Sequence, residues 1–260
     1  MKTAYLTIDD TPNERSRAFL DALVDRHAPA LLFCRGDMIE KYPDAVVYAI
    51  QKGFVIGNHG YHHTRATTLG FDATCDNILR ADMLIEKCYA DAGVPRPGKY
   101  YRFAYMDRGM GAWFVEPESV PVIHRAYVAG MIREGLGNDP VQLPSAEQVE
   151  TKNALQAFLK AQGYTKTPFE NVRHEFYTDS EMADAIDAMF TYSTADWAMT
   201  ARHRDKGVDV FALMDADPHL SREDTAHVIL AHDQAEIHVG TLALIDKLIT
   251  MGFVFRDIQK

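Results

Sequence analysis

Cysteine is scarce in this 260-residue chain, and its three copies, Cys34, Cys75 and Cys88, show no Cys-x-x-Cys spacing. An odd, scattered set argues against a disulfide framework and fits a reducing compartment. Cys75 and Cys88 read as small apolar residues on a helix face. Positive charge is short as well. The 27 Lys and Arg face 37 Asp and Glu, a net charge of −10, and no Lys/Arg-rich run interrupts the excess. Nucleic acid and anionic membrane are therefore poor partners, and the field disfavours a strongly polyanionic substrate. No apolar run reaches transmembrane length. The first ten residues lead straight into a strand pattern, with no room for the apolar core of a signal peptide. A cytoplasmic protein is the expectation. Internal repeats and low-complexity segments are lacking too.

What is present is an alternation of short apolar runs and helical patterns, the mark of repeated β-α units. Strands are expected at Ala4 to Ile8, Ala30 to Cys34, Phe54 to Ile56, Lys99 to Phe103, Ala226 to Ala231 and Phe253 to Ile258. Helices are expected at Asn13 to Arg26, Lys41 to Lys52, Asp72 to Ala92 and Thr241 to Met251. The stretch from about Met106 to Phe190 is less regular. In it, Ala126 to Glu134 reads as helical. Ser145 and Gln148 form a capping box opening a helix to about Gln162. Thr178 to Glu181 reads as a second such start, with a helix to about Phe190. The whole stretch reads as an insertion on one face of a single domain spanning the chain.

The chemistry-bearing residues fall at the ends of these strands. Asp9-Asp10 follows the first, His59 and His63 the third, Tyr105 the strand before the insertion, and His232 the penultimate one. One carboxylate and two imidazoles make an open metal site, which leaves room for a water and suits hydrolysis. The second carboxylate then lies where a general base is needed. In a β/α barrel, that end of the strands is where active sites assemble. Taken singly, the Asp pair would be a helix cap or strand end, Arg102 a surface ion-pair partner, Trp197 a core residue and His232 a cap. The remaining histidines, including His27, His124, His174 and His238, read as structural.

These segments resemble the polysaccharide deacetylase family, the NodB-homology domain of carbohydrate esterase family 4. The resemblance follows five motifs in order. Thr7-Ile8-Asp9-Asp10-Thr11-Pro12 is similar to Thr-Phe-Asp-Asp-Gly-Pro, which implies Asp9 as base and Asp10 as metal ligand. Gly57 to His63 is similar to the family's second motif and implies His59 and His63 as ligands, with His62 a bystander. Arg102-Phe103-Ala104-Tyr105 stands for Arg-x-Pro-(Tyr/Phe), with Ala104 in place of proline. It implies that Arg102 orients Asp9 and that the Tyr105 N–H serves the oxyanion. Ser193 to Trp197 stands for Asp-x-x-Asp-Trp, with Ser193 in place of the first Asp. The carboxylate that tunes the catalytic histidine is therefore open, Asp196 or another, and Trp197 walls the pocket. Leu230-Ala231-His232 implies His232 as general acid and Leu230 as lining for the acetyl methyl.

The resemblance implies an α/β fold, a distorted (β/α) TIM-like barrel of seven or eight strands. It implies one divalent ion, zinc first, with cobalt, manganese, nickel or iron able to bind the same set. The expected activity is removal of N-acetyl groups from an amino sugar or short N-acetylated oligosaccharide. An O-acetyl esterase and a cyclic-amide hydrolase of the allantoinase or imidase type are the alternatives. The expected partner is a small carbohydrate, with a homo-oligomer through the insertion as a further expectation. Trp113, Phe114, Tyr127 and Tyr192 could stack on sugar rings or form the insertion's core.

Overall fold

A computed structural model describes residues 1–136 and 142–258. Part of the expected insertion, residues 137–141, lies outside the described residues. Strand β1 (Lys2–Thr11) is buried along nearly its whole length and forms the axis of a parallel sheet. On one side it pairs with β5 (Ala226–His232), and on the other with β2 (Ala30–Cys34) and β6 (Phe253–Phe255). β2 pairs onward with β3 (Val55–Asn58), and β5 with β4 (Tyr192–Ser193). Single backbone contacts carry the wall from β3 towards β4. Asn58 bridges to Tyr101, and the Ala188 N–H donates to the Tyr101 carbonyl at 2.7 Å before the chain enters β4. The result is the distorted (β/α) barrel. Its strands are buried on both faces and so read as continuous apolar runs rather than alternating ones.

Helices cover the sheet. They are α1 (Ser16–Asp25), α2 (Gly36–Lys41), α3 (Pro43–Gln51), the single turn α4 (Ala66–Leu69) and the long α5 (Phe71–Ala92). Then come α6 (Arg125–Leu136), α7 (Ala146–Ala161), α8 (Glu175–Thr178), α9 (Val210–Ala216) and α10 (His238–Thr250). α5 buries Cys75, Ile78, Ala81, Ile85, Cys88 and Tyr89 along one stripe and stops at Gly93 in the left-handed conformation. Ser145 and Gln148 form the expected reciprocal cap at the start of α7. Behind the strand ends, buried Asp233 accepts from Asn13, Ser16 and His238, which ties α1 to the end of β5.

Three expectations are corrected. The helix expected from Lys41 to Lys52 is two helices, broken at Tyr42. Pro43 disfavours helical geometry in the residue before it and opens α3 itself. The strand expected over Lys99 to Phe103 is one bridge long. Only the Tyr100 carbonyl and Arg102 N–H pair with Asn58, while the Lys99 carbonyl is taken by Thr165. The helix expected to run to Phe190 ends as a short 3-10 turn, Glu181–Asp184. Beyond it the backbone is committed elsewhere: the Ile186 N–H donates to Gln156, Ala188 to Tyr101 and Thr191 to Val228. Wall hydrogen bonds outweigh local helix propensity there. Trp113, Phe114 and Tyr192 are buried in the apolar clusters and Tyr127 packs against one of them, and of the four only Phe114 also borders the cavity described below.

His174 lies at the far end of the barrel, fully buried, and neither ring nitrogen has a hydrogen-bond partner among the described residues. It packs between His227 and His219, at centroid distances of 4.8 and 5.6 Å. Burial first, and then those two rings, push its pKa down to about 3 from 6.5. Between these values the unfolded chain binds the extra proton, so stability falls as pH drops below 6.5. The expected loss attributable to His174 is about 2 kcal/mol between pH 7 and pH 5. Urea unfolding of His174→Phe at both pH values should show a correspondingly shallower loss. An unchanged slope would refute the assignment.

Candidate active site

Neighbouring residues of a strand point to opposite faces, so two consecutive carboxylates should not reach one site. Here a bulge allows it. Ile8 pairs with Leu32 and Thr11 with Cys34, so β1 carries one residue more than β2 across that interval. The extra residue lets Asp10 adopt φ 67°, a left-handed conformation that Asp tolerates better than most residues. Both carboxylates then turn inward. Asp9 Oδ2 lies 3.7 Å from His59 Nε2, and Asp10 Oδ1 lies 3.4 Å from His63 Nε2 and 3.9 Å from His59 Nε2.

His59 is fixed by its own strand end. Asn58, wholly buried, accepts from the Gly60 N–H and donates to the Ile78 carbonyl and the Tyr164 hydroxyl. Gly57 is required just before it: a Cβ there would lie 2.6 Å from the Phe33 ring. The His59 Nδ1 bonds the Arg102 carbonyl at 2.8 Å. That bond makes Nδ1 the protonated nitrogen and leaves the Nε2 lone pair facing Asp10. Burial first, then nearby positive groups, push the His63 pKa down to about 4, so its ring is neutral at pH 7. Burial alone would raise the Asp10 carboxyl. The charges of His63, His232 and His59 and the amide of Gln234 instead hold it below the usual carboxylate range. The ligand atoms of Asp10, His59 and His63 all lie within 4.8 Å of one another. Asp10 Oδ1 is buried without a hydrogen-bond partner among the described residues, while Gln234 donates to Oδ2 at 2.6 Å. An anionic oxygen left bare between two imidazole lone pairs is the donor set a divalent cation fits.

Arg102 runs through the barrel core with no exposed surface. Its Nη1 donates to Asp9 Oδ1 and to Thr7 Oγ1, each at 2.8 Å, and its Nε to the Ala188 carbonyl at 3.1 Å. This anchors Asp9 by one oxygen and leaves Oδ2 facing the site. Removing one partner of a buried pair strands the other, so Arg102→Met is expected to destabilise the fold by about 3–5 kcal/mol. Asp9→Asn in the same chain should return part of that loss. Urea unfolding reads both, and additive losses in the double variant would argue against the coupling.

Across the site stands a second pair. His232 Nδ1 lies 2.6 Å from Asp196 Oδ1, while Asp196 Oδ2 accepts from the His232 backbone N–H and the Thr241 hydroxyl. Asp196 is wholly buried. It reaches His232 because Ala195 takes a left-handed conformation, φ 52°, just beyond β4. Burial acts against charge on His232, but Asp196, by its charge and hydrogen bond, outweighs it with help from Asp10 and Asp9. The pKa rises to about 9. The carboxylate left open by Ser193 is therefore Asp196 in geometry. The β1–β5 register places Asp9 directly opposite His232.

Asp9, Asp10, His59, His63 and His232 line one cavity of about 540 Å³, with Leu230 and Trp197 in its wall, while Arg102 and Asp196 act from behind it. Tyr105 stands at its edge, half exposed, with φ 57°, and its ring lies 4.3 Å from that of His63. Thr7, Gln234 and Thr241 were not foreseen from sequence. Thr7 carries a faint signal, two residues from Asp9 and hence on the same face of β1, whereas Gln234 lies in the loop just beyond β5. Thr241 carries none, since it lies on α10.

Residues 1–109 match the family model described as polysaccharide deacetylase. A peptidoglycan-N-acetylglucosamine deacetylase of Bacillus cereus is 31% identical over 83 residues, 32% of this chain and 30% of that protein. A chitooligosaccharide deacetylase of Rhizobium leguminosarum bv. trifolii is 26% identical over 125 residues, 45% of this chain and 58% of that protein. The matched part thus spans less than two thirds of either relative. The solved family 4 carbohydrate esterase from Streptomyces lividans, in complex with acetate, superposes with a TM-score of 0.55 at 19% identity, covering 100% of this chain and 95% of that one. The stretch 1–109 that resembles polysaccharide deacetylases holds the Asp-Asp pair, both site histidines and Arg102, and the chain as a whole carries the fold of the solved family 4 carbohydrate esterase.

Proposed function

We propose that the chain is a metal-dependent hydrolase that removes N-acetyl groups from an amino sugar or a short N-acetylated oligosaccharide. The observation that carries this reading is the opposition of two hydrogen-bonded pairs, Arg102–Asp9 and Asp196–His232, across the Asp10, His59 and His63 cluster. The names of the relatives, which act on N-acetylglucosamine in peptidoglycan and on chitooligosaccharide, support the substrate class.

Asp10, His59 and His63 would hold the divalent ion, zinc by preference for this donor set. Such an ion, when bound, acidifies water and polarises a carbonyl. The chain's own residues supply the rest. Asp9 Oδ2, the oxygen that Arg102 leaves free, accepts the proton of the attacking water. The Tyr105 N–H donates to the oxygen on which charge develops. His232 Nε2, protonated at neutral pH because Asp196 holds Nδ1, delivers a proton to the leaving nitrogen. An amine leaves poorly without that proton, so a histidinium at this position favours amide over ester chemistry. Leu230 lines the wall on which the acetyl methyl rests.

The test is acetate release from N-acetylglucosamine and its oligomers, beside O-acetylated xylo-oligosaccharides, with protein stripped of metal and reloaded with zinc or cobalt. Metal-dependent release from the amides is expected. Asp9→Asn should keep its metal and lose turnover by about a hundredfold to ten-thousandfold. Release from the esters alone would replace this reading with an O-acetyl esterase.

A further inference from the structure

The chain carries ten more acidic than basic groups, yet the mouth of the active-site cavity is lined by Arg35, Arg65, Arg202 and Lys206. Arg35 is neutralised by Asp37 at 2.8 Å. Arg65, Arg202 and Lys206 form no ion pair among the described residues. Two of these three rest on aromatic faces. The Arg65 guanidinium lies 4.5 Å from the Tyr105 ring centre and the Lys206 ammonium 5.6 Å from that of Trp197. Such contacts hold a cation in place without neutralising it. The acidic groups in the same lining are already engaged. Asp9 is bound by Arg102, Asp10 faces the imidazoles and Gln234, and Glu236 accepts from the Ala201 N–H.

In an acidic protein, unpaired cations gathered at one cavity mouth reverse the local field, and a cleft with low-dielectric walls concentrates that effect. We propose that the substrate bears a carboxylate or phosphate beside its N-acetylated ring, recognised by Arg65 on the Tyr105 side of the cavity and by Arg202 and Lys206 on the Trp197 side. The inference rests on the deacetylase reading and deepens it. The net charge still repels a long polyanion, so the fitting ligand is a sugar with one or two negative groups rather than a charged polymer. None of the three cations contacts the proton-transfer pairs, so their role is selection of substrate.

The test uses zinc-loaded full chain and three probes: N-acetylglucosamine, its 6-phosphate and N-acetylmuramic acid. Calorimetric binding and acetate release are measured at low and high salt for wild type, Arg65→Gln and the double variant Arg202→Gln/Lys206→Gln. The expected result is a preference of about tenfold or more for an anionic probe. High salt and at least one variant should reduce that preference, with turnover of the neutral sugar unchanged. A preference confined to the phosphate or to the carboxylate names the anion. Acetate release without preference, or a preference that no variant alters, overturns the anion site and leaves the deacetylase standing. Preferential binding of an anionic probe without acetate from any probe supports the anion site and overturns the deacetylase. No binding of any probe overturns the site.

Discussion

Asp10→Ala is expected to lose bound metal through gel filtration and to release acetate at least about a thousandfold more slowly than wild type. The carboxylate is the anionic member of the cluster, and its Oδ1 is buried with no hydrogen-bond partner among the described residues. Two neutral imidazoles alone make a weaker and less selective cage for a dication. Asp10→Asn separates charge from shape. It keeps the side-chain volume on the bulge and the contact to Gln234, so the fold should be retained while metal affinity falls. Metal content by elemental analysis and acetate release by coupled assay read the two effects separately. An Asp10→Ala protein that keeps a full equivalent of metal would remove Asp10 from the ligand set. His63→Ala should behave like Asp10→Ala, whereas Asp9→Asn should not, because Asp9 Oδ1 belongs to Arg102.

The contrast between Asp9 and Asp10 also marks what sequence can and cannot disclose. Their place at a strand end was legible, because a short apolar run followed by polar residues is local information. The bulge that turns both inward was not. It arises from pairing with β2, where Ile8 and Thr11 meet Leu32 and Cys34, and nothing in β1 alone requires it. Likewise Asn58 and His59 could be placed by their short strand, but the Tyr164 hydroxyl that anchors Asn58 comes from beyond α7. The failed helix towards Phe190 has the same cause. Its start lay near the expected place, but the cap is Ser180, accepting from the Met182 N–H, while the Thr178 hydroxyl donates to the His174 carbonyl. The barrel-wall bonds of Ala188 and Thr191 that overrule it connect residues far apart in the chain. The cationic mouth was hidden by a global sum: a net charge of −10 says nothing of where unpaired positive groups gather.

Asp196→Asn carries the second large expectation, since it tests the residue that the sequence left open. In wild type the Asp196 carboxylate is wholly buried and accepts from His232 Nδ1, the His232 N–H and Thr241. Its charge and hydrogen bond outweigh burial and raise the His232 pKa to about 9. The sign follows: His232 is protonated below that value and loses its proton as pH rises through it. A general acid must hold its proton in the free enzyme, so His232 sets the alkaline limb of kcat/KM. Asparagine removes the charge and cannot favour the imidazolium in the same way. The alkaline limb should move to lower pH, and turnover at pH 8 should fall by about a hundredfold to ten-thousandfold. Metal content should stay near wild type, which separates this variant from Asp10→Ala. The stabilisation drawn from the raised pKa is present below pH 6.5 and lost as pH rises through about 9. Asp196→Asn should therefore be destabilised more at pH 6 than at pH 10, as read by urea unfolding. A shifted limb with retained metal would place Asp196 behind the acid. An unmoved limb would assign it to scaffolding of the β4 turn and send the search for the tuning carboxylate elsewhere.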